Sequence, residues 1–203
     1  LVNIHSYAAA TKGLGGKVMT ELGLLHESGA AGFTDGGKAI AHPLVMRRLL
    51  SYAQLFDTVI IQHPEMPEMV GSGVMNEGET ATRLGLPGIP AAAEVMMIER
   101  DLRLVELTGG RLHFSCLSTA AAVDAVRRAK ASGLRVTADT APPYFSLTES
   151  AGTGYRTSAK LSPPRRPEED PTPGNEALAD APTSPHVPRH PPGARERADE
   201  RPG

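Results

Sequence analysis

Up to about residue 162, short apolar runs alternate with longer amphipathic stretches, and this alternation constrains the fold more than any other feature. The run "DTVIIQH" (57–63) is rich in β-branched residues, which is typical of a buried strand. The stretch "LVMRRLLSYAQLF" (44–56) before it repeats apolar residues at helical spacing. Strands separated by helices of about 10–15 residues indicate right-handed βαβ units and a parallel sheet. The sequence therefore predicts an α/β protein.

Five strands and five helices are expected in this part of the chain. The strands are predicted in "LVNIHSY", "AAGFTD", "DTVIIQH", "RLHFSCLS" and "LRVTADT". The helices are predicted over Lys17–Ser28, Pro43–Phe56, Pro90–Thr108 and Thr119–Ser132, with a short one around Glu77–Leu84. A proline at the start and glycines after the end of the stretch Pro90–Thr108 follow the usual asymmetry of helix termini.

The composition changes abruptly after Ser162. Eleven of the 18 prolines lie between Pro163 and Pro202, and only two residues in that stretch are large and aliphatic. Such a segment buries too little apolar surface to offset its ordering entropy, so we expect a domain of residues 1–162 and a disordered tail of residues 163–203. Three interpretations of the tail stay open: a solvated tail, a proline-rich docking segment, or an out-of-frame translation. The last is favoured because the tail interrupts the fold where another βα unit is due.

The overall composition excludes several classes of protein. A formal net charge of −2 and a pI near 6.4 argue against a surface that binds nucleic acid. A single cysteine excludes an internal disulfide and fits a reducing compartment, which predicts a cytoplasmic protein. No apolar run reaches the roughly 18 residues of a membrane span, so no membrane association is expected. The chain starts at Leu1, without methionine and directly in strand-like residues, which favours a fragment.

Four predicted strand ends carry residues that can take part in chemistry. Asp35 lies in "GFTDGG", His63 in "IIQHPEM", His113 and Cys116 in "LHFSCLST", and Asp139 in "VTADTAPPYF". In parallel α/β barrels the active-site residues lie at the carboxyl ends of the strands and in the loops that follow. A histidine, a carboxylate and a thiolate on neighbouring strand ends can bind zinc together. No two of these residues have a diagnostic spacing, so the pattern alone does not establish a site.

Each of these residues also has an ordinary structural interpretation. Asp35 before two glycines is typical of a turn, and His63 before a proline is typical of a strand end. His113 fits a packed histidine within a strand, and Cys116 fits a small buried side chain. Asp139 fits a cap or turn residue before two prolines.

Several motifs together resemble a known family. "GFTDGGKAI", "LGLPGIPAAAE", "HFSCLSTAAAVDAVRRAKASGLRVT" and "AKLSPP" occur in this order, and the likeness covers nearly all of residues 1–164. They resemble dihydroorotases of the amidohydrolase superfamily, in the branch related to the multifunctional pyrimidine enzymes. The resemblance implies a (β/α)8 TIM-type barrel, here partial, with about five βα units plus the disordered proline-rich C-terminal tail.

The resemblance also implies a chemistry. Dihydroorotases interconvert N-carbamoyl-L-aspartate and L-dihydroorotate by reversible hydrolysis of a cyclic amide in de novo pyrimidine synthesis. Zinc is the implied cofactor, because it polarises the ring carbonyl and lowers the pKa of a bound water. The family's acidic turn keeps Asp35 and its His-x-Glu-Asp corner keeps His63, so both are expected metal ligands. Cys116 stands where the family has a zinc histidine, and Ser162 stands where it has a substrate-binding asparagine.

These departures predict that the chain alone is inactive and does not hold zinc tightly. The family's His-x-His pair and its Asp-His-Ala-Pro motif have no counterpart in the 203 residues. A thiolate at Cys116 can bind zinc, but its negative charge makes the metal a poorer Lewis acid. The parent protein is then either a dihydroorotase or a non-catalytic dihydroorotase-like partner subunit of aspartate transcarbamoylase. Because about five βα units of eight cannot close a barrel, exposed sheet edges and a homo-oligomer or aggregate are also expected.

Overall fold

The computed structural model describes residues 4–152, 155 and 160–167, in which strands and helices alternate along the chain. The strands are β1 (Ala8–Ala9), β2 (Gly32–Thr34), β3 (Val59–Gln62), β4 (Met75–Asn76), β5 (Gly88–Ile89), β6 (Arg111–Phe114) and β7 (Val136–Ala138). The helices are α1 (Leu22–Glu27), α2 (Pro43–Ala53), α3 (Pro67–Val70), α4 (Glu79–Leu84), α5 (Ala92–Thr108), α6 (Ala120–Ala131) and α7 (Pro142–Ser146). Within these ranges, no helix has the length and apolarity needed to cross a bilayer.

Five strands form one parallel sheet in the order β1-β2-β3-β6-β7. The short strands β4 and β5 pair with each other in a separate two-stranded sheet. At least one helix lies between every two strands that follow each other in the main sheet, which is the βαβ arrangement expected from the sequence. The predicted α/β class, with about five βα units, is confirmed.

Helices α2, α5 and α6 pack against one face of the main sheet. Phe33, Ile60 and Leu112 are register partners on β2, β3 and β6, and each is at most 1% exposed. They join one hydrophobic core with buried residues of α2, α5 and α6. Burial of such a side chain contributes about 1.5–3 kcal/mol to stability. This packing fixes the ends of the strands relative to one another.

The opposite face carries a mixed row of side chains. Thr34, Ile61, His113 and Thr137 are register partners on β2, β3, β6 and β7. Because side chains alternate along a strand, this row faces away from the helix-covered core. The row therefore brings His113 and Thr137 side by side near the carboxyl ends of the strands.

Two predicted elements are shorter than expected. The first strand is Ala8–Ala9 rather than the run "LVNIHSY", because pairing with β2 begins at Ala8; residues 1–3 lie outside the described residues. The first helix begins at Leu22 rather than Lys17. Before it, the Lys12 backbone N donates to Val18 O and the Thr20 backbone N donates to Ala10 O, so this segment pairs with residues that follow β1 instead of forming a helical turn.

Ordered structure continues past the predicted domain boundary at residue 162. Pro163 and Pro164 are buried, and Arg165 and Arg166 are only 8% and 6% exposed. The boundary therefore lies no earlier than Pro167. Composition gives no sign of this burial, because Arg166 is buried by specific polar partners rather than by apolar surface. The rest of the predicted disordered tail, from residue 168, lies outside the described residues.

Candidate active site at the carboxyl ends of the strands

Four loops at one edge of the main sheet carry the residues selected from the sequence. Asp35, His63 and Asp139 directly follow β2, β3 and β7, and Cys116 lies two residues after β6. The five strands are parallel, so their carboxyl ends lie at the same edge of the sheet. The expected grouping at one edge is therefore present, and the contacts of each residue decide what it can do.

His63, Glu65 and Ser162 form a hydrogen-bonded group that we call the His63 cluster. His63 Nε2 lies 2.8 Å from Glu65 Oε2, and the two side chains are 6% and 7% exposed. The Ser162 hydroxyl donates to the same Glu65 oxygen and lies 3.4 Å from His63 Nε2. Burial alone would raise the pKa of Glu65, but the hydrogen bonds from His63 and Ser162 outweigh it and hold that pKa below its ordinary value. Glu65 is therefore a carboxylate that accepts a hydrogen bond from His63 Nε2.

The geometry of the His63 cluster limits its chemistry. A ring nitrogen that donates a hydrogen bond has no lone pair left for a metal or for the proton of a serine. Ser162 and Glu65 also approach the same nitrogen of His63, whereas a Ser-His-acid triad places its serine and its acid on opposite ring nitrogens. The remaining oxygen, Glu65 Oε1, is buried without a hydrogen-bond partner in the described part of the chain. The cluster is therefore not a nucleophilic triad, and Nε2 of His63 is not free to bind a metal.

Asp35 is bound by Thr11. The Thr11 backbone N donates to Asp35 Oδ1 at 2.9 Å, and the Thr11 hydroxyl donates to Oδ2. Both residues are almost completely buried. The two oxygens of Asp35 therefore link the end of β2 to the segment that follows β1.

A histidine–aspartate pair links the ends of β6 and β7. His113 Nε2 lies 2.9 Å from Asp139 Oδ2, and His113 Nδ1 lies 2.8 Å from Thr137 Oγ1. Asp139 Oδ1 accepts a hydrogen bond from the Cys116 backbone N at 2.6 Å. The Asp139 side chain is half exposed, so its partial burial raises the pKa only in part, and the hydrogen bonds from His113 and Cys116 hold that pKa below its ordinary value. His113 and Asp139, which the sequence suggested as separate candidates, are therefore hydrogen-bonded to each other.

Cys116 has an uncommon backbone conformation and a thiol with a raised pKa. Its φ angle is 61°, in the left-handed region that disfavours residues with a Cβ atom. Burial, followed by the charges of Asp139, Glu65 and Glu94, raises the pKa of its thiol. The protonated form therefore predominates, and a protonated thiol is a poor nucleophile and a poor metal ligand.

A buried hydrogen-bond network around Glu94 lies beside the loop that carries Cys116. Its residues are not among the candidates that the sequence suggested. Glu94, in α5, accepts hydrogen bonds from the backbone N atoms of Ser118 and Thr119 at 3.0 and 3.2 Å. Arg166 donates to Ser118 Oγ at 3.1 Å and to Asn76 Oδ1 at 2.9 Å, and lies 3.4 Å from Glu94. Burial raises the pKa of Glu94, and Arg166 and Ser118 oppose that effect in part.

The sequence contains a signal for only part of this network. Glu94 is an acidic residue among the buried positions of α5, flanked by Ala93, Met97 and Ile98. A carboxylate in such a helical stripe indicates a specific partner. The proline-rich composition around Arg166 gives no comparable signal.

A comparison with known families decides the classification. The family model described as Dihydro-orotase-like matches residues 1–122, which include Asp35, His63 and Cys116. The chain belongs to the dihydroorotase-like family. The resemblance drawn from the motifs is thereby confirmed.

Curated relatives of this family agree. The dihydroorotase of Syntrophotalea carbinolica is 47% identical over 192 residues, which cover 93% of this chain and 45% of that protein. The dihydroorotase of Syntrophus aciditrophicus is 44% identical over 193 residues, covering 95% of this chain and 45% of that protein. The chain thus spans less than half the length of these relatives. The match to the second relative covers more residues than the range 1–162 contains, so the likeness extends into the proline-rich segment.

Solved structures show the same fold as this dihydroorotase-like chain. L-hydantoinase (dihydropyrimidinase) from Arthrobacter aurescens has a TM-score of 0.66 at 21% identity, covering 83% of this chain and 39% of that one. A D-hydantoinase has a TM-score of 0.63 at 20% identity, covering 78% of this chain and 37% of that one. At these identities the likeness concerns the fold alone, and it confirms the partial TIM-type barrel.

The zinc site implied by the dihydroorotase resemblance does not fit the observed arrangement. The described ranges contain no group of three or more His, Cys, Asp or Glu side chains placed to hold a metal ion. The oxygens of Asp35 accept from Thr11, His63 Nε2 donates to Glu65, and the raised pKa of Cys116 disfavours its thiolate. The assignment of Asp35, His63 and Cys116 as zinc ligands, and of Ser162 as a substrate contact, stays a prediction from the family.

Proposed function

We propose that this chain is part of a dihydroorotase-type hydrolase of de novo pyrimidine synthesis, and that residues 1–203 alone do not catalyse the reaction. Its substrates would be N-carbamoyl-L-aspartate and L-dihydroorotate. Family membership and the names of the relatives support the reaction class. One observation carries the proposed inactivity: His63 Nε2 is engaged by the Glu65 carboxylate at 2.8 Å, so that nitrogen of the best-retained family ligand is not free to bind a metal. We place the protein in the cytoplasm, because a single cysteine suits a reducing compartment.

The acids, histidines and serine of the site are hydrogen-bonded to one another, and this leaves them poorly suited to exchange protons with a substrate. Opening a cyclic amide requires a base for the attacking water and donors for the developing oxyanion. Glu65 is a weak base because His63 and Ser162 hold its pKa below the ordinary value. Asp139 is weakened in the same way by His113. Ser162, the proposed substrate contact, directs its hydroxyl at Glu65.

A second candidate is a non-catalytic partner subunit of aspartate transcarbamoylase. Cys116 favours this candidate, because it replaces a family zinc histidine with a thiol whose pKa is raised by burial and by nearby carboxylates. A side chain that stays protonated and uncharged suits a structural position better than a metal site. In this role the surface of the parent, rather than its strand ends, would carry the function.

Turnover and metal retention by the 203-residue chain test the proposed inactivity. We expect no cyclisation of carbamoyl aspartate above the buffer rate, with or without added zinc, and no stoichiometric zinc after dialysis. His63→Ala is the matched variant. Zinc that the wild type retains and His63→Ala loses, or measurable turnover of dihydroorotate, would contradict the proposal.

Cys116→Ala in the full-length parent separates the two candidates. In an enzyme that uses Cys116 as a ligand, the substitution abolishes cyclisation while the circular dichroism spectrum stays unchanged. In a partner subunit there is no cyclisation to lose. That candidate requires the parent to co-purify with aspartate transcarbamoylase, and the assembly of that enzyme to fail when the parent is deleted.

A further inference from the structure

We infer that Glu94 is a positioning residue of the candidate site: one buried carboxylate that holds both the loop carrying Cys116 and the segment carrying Ser162. We call residues 116–119 the corner and residues 160–167 the strap. Glu94 is 1% exposed. It contacts Ser118 and Thr119 in the corner and Arg166 in the strap, rather than Cys116 or Ser162 directly. The inference rests on the proposed function only in taking Cys116 and Ser162 as site residues.

The corner is tied to Glu94 by four hydrogen bonds. Glu94 Oε1 accepts from the Ser118 backbone N at 3.0 Å, and from the backbone N and the hydroxyl of Thr119 at 3.2 Å each. The Ser118 hydroxyl donates to Glu94 Oε2. These bonds fix the backbone two and three residues beyond Cys116, whose φ angle is 61°. A residue in this region keeps its conformation only where the surrounding structure enforces it.

Arg166 links the strap to the same carboxylate. Its Nη2 lies 3.4 Å from Glu94 Oε2, and its Nε donates to Ser118 Oγ at 3.1 Å. The Arg166 side chain is 4% exposed, so these partners rather than water hold it. Four residues earlier in the strap, Ser162 reaches the His63 cluster. The position of Arg166 therefore sets where Ser162 enters the site.

The role of Glu94 requires a carboxylate. Its two oxygens meet donors from the Ser118 backbone and hydroxyl, the Thr119 backbone and hydroxyl, and the Arg166 guanidinium. A glutamine offers one oxygen and one N–H₂ group, so its nitrogen would face donors. It would also leave Arg166 as a buried charge without a counter-charge.

Two rate measurements on the full chain test the inference. Cys116 is the only cysteine, so its reaction with a thiol reagent such as DTNB at fixed pH reports on the corner. Trypsin cleavage after Arg165, followed by mass spectrometry, reports on the strap, because Arg165 and Arg166 are buried. We expect Glu94→Gln to accelerate both reactions several-fold. Neither rate depends on catalysis, so the result stands apart from the outcome of the activity assays.

A matched variant distinguishes positioning from general destabilisation. Leu102 lies in the same helix, is 6% exposed and belongs to the hydrophobic core. We expect Leu102→Ala to lower the thermal midpoint without accelerating either reaction beyond what its unfolded fraction explains. Equal acceleration in Leu102→Ala and Glu94→Gln at matched stability would overturn the inference.

A double variant separates positioning from the ion pair. Glu94→Gln combined with Arg166→Met removes both buried charges, so it should recover the thermal midpoint while both reactions stay fast. A return to the wild-type rates would mean that the pair only stabilises the fold. If Glu94→Gln does not fold, Ser118→Ala keeps the ion pair and removes one link to the corner. It should accelerate the thiol reaction, and an unchanged thiol rate would overturn the inference.

Discussion

At the residue scale, two pairs of carboxyl groups have pKa values that are shifted in opposite directions. Glu65 and Asp139, near the strand ends, have lowered pKa values because donors from His63 and His113 outweigh burial. Glu94 and Asp101, in α5, have raised pKa values because burial outweighs their donors. The first pair is charged at neutral pH. The second pair stabilises the folded state at low pH, and this stabilisation is lost as the pH rises through the raised pKa values.

Asp101→Asn should flatten the pH dependence of the free energy of unfolding. Burial raises the pKa of Asp101 from 3.8 to about 6, so the folded state keeps this proton to higher pH than the unfolded state does. The stabilisation is complete below about pH 4 and is lost as the pH rises to about 6, by roughly 3 kcal/mol. Urea unfolding between pH 4 and pH 8 measures the difference between wild type and variant. Glu99→Gln, at a half-exposed position of the same helix, is the control; parallel profiles for wild type and Asp101→Asn would contradict the prediction.

Cys116→Gly should be more stable than Cys116→Ala, although both lose the thiol. The φ angle of 61° is strained for alanine and not for glycine. We expect a difference of about 1 kcal/mol in the free energy of unfolding. Urea denaturation of the two variants measures it. An alanine variant as stable as the glycine variant would show that the left-handed conformation is not maintained.

At the scale of elements, the beginning of α6 and a side chain of α5 position the same corner. The Thr119 hydroxyl accepts a hydrogen bond from the Ala122 backbone N at 3.2 Å, which caps α6. The same hydroxyl donates to Glu94 Oε1 at 3.2 Å. A helix cap and a contact between two elements therefore depend on one oxygen atom.

Thr119→Ala should lower the free energy of unfolding by more than the loss of an exposed helix cap does. Loss of the cap alone costs about 1 kcal/mol. The lost donor to the buried Glu94 adds about 1 kcal/mol more. Thr119→Ser keeps the hydroxyl and serves as the control. Chemical denaturation of both variants measures the effect, and an equal loss in the two would assign it to the methyl group instead.

At the scale of the whole molecule, the main sheet formed by the described residues ends in strands β1 and β7. The Leu112 backbone N donates to Arg135 O at 3.1 Å, and the Asp139 backbone N donates to Phe114 O at 3.0 Å. Parallel pairing uses alternate residues, so the backbone groups of Ala138 point away from β6. Such an edge is a template for pairing with another chain.

The 203-residue chain should therefore self-associate through its sheet edges as its concentration rises. Ala138→Pro removes an outward-facing N–H and should weaken the association while the helix and strand content stays unchanged. Thr137→Pro is the contrasting variant, because the Thr137 N–H faces β6 and its loss should destabilise the fold. Sedimentation velocity over a range of concentrations measures the association. An association that is insensitive to Ala138→Pro would assign it to another surface.

The sequence by itself determined the class of fold, the approximate order of the elements and the family. These features depend on local signals: the alternation of strand and helix periodicity, glycine and proline at helix ends, and motifs such as "LGLPGIPAAAE". It also placed Asp35, His63, Cys116 and Asp139 at one edge, because parallel strands end together.

Only the tertiary structure decided what those residues contact. Glu65 and Ser162 are 97 positions apart in the sequence, and Glu94 and Arg166 are 72 positions apart. No local sequence pattern therefore predicts either contact. The burial of Arg166 in a proline-rich segment depends entirely on the partners that the fold brings to it. A buried charge or a ring nitrogen takes its properties from its nearest donors and acceptors, and long-range packing chooses those neighbours.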